Sequence, residues 1–267
     1  MEKLQAALHK ARQNRGDPVP AREKPAGRDG GGATSPLWEA LAPFEIEPRQ
    51  LERHRVVTRE AGAKATPFDI LRTKVLLQMR QNGWTRLAIT TPMPQSGKTT
   101  TACNLALGLG RQRDLRSMLL DTDLRDPSVG TFFNARPDRS IGEVFAGEVD
   151  FADQALRIGA NVAVSMAREA EGDPTRLLLA EETAEVIDRI EARYKPDVMI
   201  FDLPSVLVND DTRAFLKNVD CALIVVRANQ TRYSQFDTCE REIAEHTNVL
   251  GVVLNAYRHA DKGTAAE

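Results

Sequence analysis

The 267 residues include 36 Lys and Arg against 38 Asp and Glu, a formal charge of −2, and 42% are hydrophobic. A near-neutral chain has no bulk electrostatic reason to bind nucleic acid, and no stretch approaches the ~18 apolar residues of a membrane span. Cys103, Cys221 and Cys239 lack paired spacing, which excludes a disulfide or zinc framework and fits reduced thiols in the cytosol. The opening Met1-Glu2-Lys3-Leu4 has no apolar h-region, so no secretory leader is expected.

In chain order, residues 1–15 place Leu4, Ala7, Leu8 and Ala11 on one helical face, a short amphipathic helix that reads as a frayed terminal helix, a docking helix for a partner or a membrane-surface helix. Residues 16–36 are rich in Gly and Pro and read as a flexible linker. Residues 37–65 carry Trp38, Leu41, Phe44, Ile46, Leu51, Val56 and Val57, an extension expected to pack outside the main domain. That domain is expected to span 66–257. It opens on Thr66-Pro67-Phe68-Asp69, which predicts a helix capped by Thr66 and Asp69, with Phe68, Leu71, Val75 and Met79 at helical spacing and Gly83 as its stop.

Next comes an apolar run, Leu87–Thr90, then Thr91-Pro92-Met93-Pro94-Gln95-Ser96-Gly97-Lys98-Thr99-Thr100, then an amphipathic run closing on Gly110. Strand, turn and helix are the setting of a phosphate-binding loop, because N–H groups at a helix N-terminus and the helix dipole both favour phosphate. Lys98 would reach the β- and γ-phosphates and the Thr99 hydroxyl would hold Mg²⁺, with Gln95, Ser96, Gly97 and Thr100 completing the cradle. Pro92 stands where GxxxxGK[ST] asks for glycine.

Further apolar runs at Ser117–Asp121, Val198–Phe201, Cys221–Val226 and Val249–Leu254 alternate with helical patterns at 140–156, 176–194 and 232–245. That alternation predicts an α/β fold of three layers, a mostly parallel central sheet covered on both faces. Residues 258–267 form a polar tail. Ligands of such sheets sit beyond the carboxyl ends of the strands, where Asp121, Asp123 and Asp202 fall. Mg²⁺ takes one or two carboxylates plus phosphate oxygens, so Thr99 with Asp202 suits the metal. Asp121, with Asp123 beside it, suits orienting or deprotonating an attacking hydroxyl or water.

These residues carry a resemblance. Met118-Leu119-Leu120-Asp121-Thr122-Asp123-Leu124-Arg125 resembles the hydrophobic-DxDxR motif of the bacterial tyrosine kinases of capsule and exopolysaccharide synthesis. Val198–Pro204 is similar to their hydrophobic-DxxP motif, and Thr91–Thr99 to their phosphate loop, which shares a proline at the place of Pro94. Leu71-Arg72-Thr73-Lys74 resembles a signature ahead of the first strand, and Gly251–Asn255 the last strand, where the family's asparagine lies near adenine. The resemblance covers about 66–257 and implies a cytoplasmic P-loop ATPase using ATP and Mg²⁺. It also implies phosphoryl transfer to protein tyrosine, and work with the cytoplasmic segment of a membrane polysaccharide co-polymerase that recruits the chain to the inner face of the membrane.

Two departures shape the alternatives. The family's tail carries a tyrosine cluster, whereas residues 258–267 contain no tyrosine and the whole chain only Tyr194, Tyr233 and Tyr257. A nucleotide-switched scaffold with slow hydrolysis and no kinase activity therefore stands beside the kinase reading. A homo-oligomer is implied too, but the ExxRxxR oligomerisation signature falls on Thr66, Asp69 and Arg72 and keeps only the arginine, which argues against a closed ring. Arg72 then reads as either a ring contact or a solvated face. A partition-type ATPase is the third reading; those relatives carry lysine where this chain has Met93. Tyr194, Trp38 and Trp84 are expected to pack in apolar surroundings.

Overall fold

A computed structural model of the chain describes residues 36–257. The helix expected at 1–15, the linker at 16–35 and the tail at 258–267 lie outside the described residues.

Eight strands make one sheet: β1 (Ala42–Pro43), β2 (Arg86–Thr91), β3 (Ser117–Asp121), β4 (Leu156–Ile158), β5 (Val162–Ser165), β6 (Val198–Ser205), β7 (Cys221–Arg227) and β8 (Asn248–Asn255). Their order is β1-β4-β5-β3-β6-β2-β7-β8, and only the β4–β5 pair is antiparallel. The five strands expected from apolar runs are all present. The three at the β1 edge are two to four residues long, too short to register as periodicity.

Side chains alternate between the faces of the sheet, as a two-residue period requires. Ala88, Met118, Leu120, Met199, Phe201, Ala222 and Ile224 enter one core, and Leu87, Ile89, Leu119, Ile200, Leu223 and Val225 the other. The first core is covered by helices that include α9 (Glu181–Tyr194), which turns Val186, Ile187, Ile190 and Tyr194 inward, and α11 (Tyr233–Ala244). The second is covered by α3 (Thr66–Asn82) and α4 (Lys98–Gly110), with α2 (Pro48–Arg53) and α5 (Val129–Phe133) alongside.

Several local expectations change. The turn Gly62–Ala65 already runs into α3, so Ala65 is its N-cap and Thr66 makes no capping bond; its hydroxyl donates back to Gly62 O instead. Asp69 is drawn sideways into ion pairs with Arg72 and Arg111. The stop at Gly83 holds, in the left-handed conformation at φ 64°. The helix expected over 176–194 breaks at extended Ala180 into α8 (Pro174–Leu179) and α9. The pattern at 140–156 becomes α6 (Ile141–Phe145), α7 (Phe151–Gln154) and β4, because Ser140 and Asp150 each cap a new start.

Residues 36–58 cross the sheet edge and contribute to both cores. From α1 (Pro36–Glu39), Trp38 is fully buried and its indole N–H donates to Tyr194 O at 2.9 Å. After β1, Ile46, Leu51 and Val56 lie in the opposite core. Tyr194 and Trp38 pack in the apolar interior as expected, and Trp84 packs against the second core. Arg72 is not a freely solvated face: Nη1 donates to Gly108 O at 2.9 Å and pairs with Asp69 at 3.0 Å, holding α3 against the end of α4.

Candidate nucleotide site

β2 delivers the chain to the loop 92–97 and α4 begins at Lys98. Positive φ occurs at Gln95 (62°) and Gly97 (93°) and not at Pro92, so the turn does not need the glycine that Pro92 replaces. At Gly97 it does: a Cβ would lie 2.1 Å from the Asn255 amide nitrogen. The loop is braced from within by the Thr91 and Ser96 hydroxyls, both donating to Met93 O. From the neighbouring strand ends, Asn255 Nδ2 donates to Ser96 O at 2.8 Å and Arg227 Nη1 to Gln95 O at 2.7 Å. Asn255 therefore meets the loop backbone directly.

The strand-end acids converge on the first turn of α4. Asp121 and Asp202 stand opposite each other in the β3–β6 register, both fully buried. Thr99 Oγ1 donates to Asp202 Oδ2 at 2.6 Å. Lys98 Nζ sits 2.8 Å from Asp123 Oδ2 and 3.5 Å from Asp202 Oδ2. Asp121 Oδ2 accepts the Val129 N–H at 3.1 Å. Asp121 Oδ1 and Asp202 Oδ1 are buried without a hydrogen-bond partner.

The electrostatics follow. Burial, then Asp202 beside it, pushes the Asp121 carboxyl well above the usual range. Burial also raises Asp202, while Lys98 and the Thr99 hydroxyl oppose the rise. Burial alone would lower Lys98, but Asp202 and Asp123 outweigh it and hold the ammonium charged. Three buried carboxylates thus face one ammonium, with two carboxylate oxygens unsatisfied. That donor set fits a hard divalent cation, which takes oxygen ligands and relieves carboxylate repulsion. Among the described residues no group of three or more acidic, His or Cys side chains is arranged to hold a metal unaided.

Sequence reasoning missed two groups. Ser128 Oγ lies 3.0 Å from Thr99 Oγ1. Arg125 grips Asp211 through Nε and Nη2 at 2.8 and 3.0 Å, and Thr175 Oγ1 donates to the same carboxylate. Asp211 opens α10 (Asp211–Leu216), 86 positions from Arg125, so no local spacing could have announced the pair. Ser128 follows Pro127 in a loop without periodicity.

A loop of this form joining a parallel strand to a helix, with acids at the two adjacent strand ends, defines a P-loop nucleotide-binding fold. No protein-family model matches the chain. It is 24% identical over 213 residues to the tyrosine-protein kinase YwqD of Bacillus subtilis, covering 78% of this chain and 88% of that one. It is 27% identical over 175 residues to the succinoglycan biosynthesis transport protein ExoP of Rhizobium meliloti, 63% of this chain and 22% of ExoP. The kinase domain of the Escherichia coli tyrosine kinase ETK superposes with a TM-score of 0.69 at 22% identity, covering 75% and 78% of the two chains. The septum site-determining protein MinD of Pyrococcus horikoshii, complexed with Mg-ADP, gives 0.55 at 18%, covering 66% and 72%. The chain is a relative of the bacterial tyrosine-protein kinases and shares their fold.

Proposed function

We propose that the chain binds ATP with Mg²⁺ and transfers the terminal phosphoryl group to a protein tyrosine, in service of polysaccharide polymerisation or export. The observation that carries this is the pair of unsatisfied carboxylate oxygens, on Asp121 and Asp202, beside Lys98 and Thr99. The backbone N–H groups of 95–100 would cradle the phosphates and Lys98 would exchange Asp123 for them. Thr99 and Asp202 would hold Mg²⁺, whose chemistry is to neutralise charge on the transferring group. Asp121 Oδ1, a buried carboxylate oxygen with raised proton affinity, would take the acceptor hydroxyl's proton. Asn255 would border the base while fixing Ser96. The reading is supported by the tyrosine-kinase relatives and by the Mg-ADP held by MinD on the same fold. The ExoP relative, a succinoglycan biosynthesis transport protein, supports the polysaccharide setting. The partner in this reading is a membrane co-polymerase, which would bring the chain to the inner face of the membrane.

The scaffold reading keeps one specific observation: of the three tyrosines, Tyr194 is buried and only Tyr233 and Tyr257 are exposed, each isolated in the sequence. Incubation with Mg-ATP, with and without a co-polymerase cytoplasmic segment, separates the two when phosphotyrosine and free phosphate are measured independently. Phosphotyrosine on either protein is expected. Phosphate release with none would leave the nucleotide-switched scaffold.

A further inference from the structure

Thr99 Oγ1 is surrounded more completely than a metal-ready hydroxyl should be. It donates its single proton to Asp202 Oδ2 at 2.6 Å. Lys98 Nζ donates to Thr99 Oγ1 at 3.3 Å. With the threonine proton already engaged, the Ser128 hydroxyl at 3.0 Å must be the donor in its contact with Thr99. Both acceptor positions of Thr99 Oγ1 are thus taken, one by Lys98 and one by Ser128. Lys98 has Asp123 and Asp202 as other partners, whereas Ser128 has this contact alone among the side-chain bonds described.

The chain beyond Ser128 leads away from the site. Val129 N–H is bonded to Asp121 Oδ2 and starts α5. The other end of α5 touches α2: Gln50 Nε2 donates to Thr131 O at 2.7 Å, and the His54 ring stacks on Phe132 with centroids 4.5 Å apart. We infer that Ser128 is a positioning residue, a hydroxyl latch on Thr99 that a cation must release, and that its release is transmitted through α5 to His54 on the N-terminal segment. The inference rests on the proposed Mg²⁺–nucleotide site and deepens it.

The full chain and its Ser128→Ala and Ser128→Thr variants are titrated with Mg²⁺ at fixed ADP, following nucleotide affinity by calorimetry and the His54 ring by proton NMR. Loss of the competing donor should lower the Mg²⁺ midpoint in Ser128→Ala about fivefold, the ~1 kcal/mol of one hydrogen bond. ADP affinity in EDTA should not change. Adding Mg²⁺ should shift the His54 resonances in the parent and in Ser128→Thr, which keeps the hydroxyl, and leave them in place in Ser128→Ala. Equal midpoints in all three chains, or a His54 response that survives Ser128→Ala, would overturn the latch with the nucleotide site intact. Absence of ADP binding by the parent chain would overturn the site itself.

Discussion

At the scale of single residues, the site concentrates charge that the folded chain does not itself balance. Asp121 holds one oxygen on Val129 N–H and leaves the other without a partner, at a position closed to water. Its proton affinity is higher folded than unfolded, so its contribution to stability is full below the ordinary carboxylate range and is lost as pH rises through the folded value. Asp121→Asn keeps the acceptor for Val129 and removes the charge. It should raise stability at pH 7 by about 1–2 kcal/mol in the metal-free protein, with the gain vanishing toward about pH 3, read from urea melts across pH. The same variant should keep nucleotide affinity while turnover falls about 100-fold or more. Lys98→Met should abolish ATP binding measured by calorimetry, since the phosphates lose their one buried cation; unchanged affinity would move the phosphate site elsewhere.

Between elements, the helix behind the phosphate loop is tied to the N-terminal segment through Asn104 and Thr58. Asn104 accepts the Val57 N–H at 2.8 Å and donates to Arg55 O at 3.0 Å and Thr100 O at 2.8 Å. Thr58 Oγ1 donates to Asn104 O. Asn104→Ala strands a peptide N–H and a carbonyl in a part-buried junction, so a loss of about 2–3 kcal/mol is expected in denaturant melts. A loss under 0.5 kcal/mol would mean the segment is held by its apolar contacts alone. Legibility in the sequence divides at this scale. The strands β2, β3, β6, β7 and β8, and the acids at their ends, could be read because continuous apolar runs and strand-end carboxylates are local signals. The strands β1, β4 and β5 could not, because runs of two to four residues carry no periodicity, and neither could the Asn104 junction, whose partners lie 47 and 49 positions away. The Thr66 cap failed for a related reason: a turn beginning at Gly62 reached the helix first.

For the molecule as a whole, the two cores share one N-terminal contributor. Trp38 fills the first core, touching Tyr194 edge-on with centroids 6.3 Å apart, and Ile46, Leu51 and Val56 fill the second. Trp38→Ala should cost about 3–5 kcal/mol and lower the melting temperature of the entire domain in one cooperative transition. Separate loss of an N-terminal unit, seen as an early proteolytic cut with the remainder still folded, would show that the segment is an appendage. The phosphate loop's motif announced the site from sequence, but which residues brace it, Arg227 from β7 and Asn255 from β8, depended on a strand order that no local pattern encodes.

The path of residues 36–58 also fixes an order of events in the cell. Trp38 and its carbonyl partner on Tyr194 are separated by 156 positions, and β1 waits for β4 more than a hundred residues later. A chain emerging from the ribosome N-terminus first must carry this apolar stretch unpaired while most of the domain is still being made. Its closure is a late, long-range event, and such pairings are slow and expose sticky surface in the interval. Translation past Tyr194 is therefore the point at which the nascent protein can first give the Trp38 indole its partner.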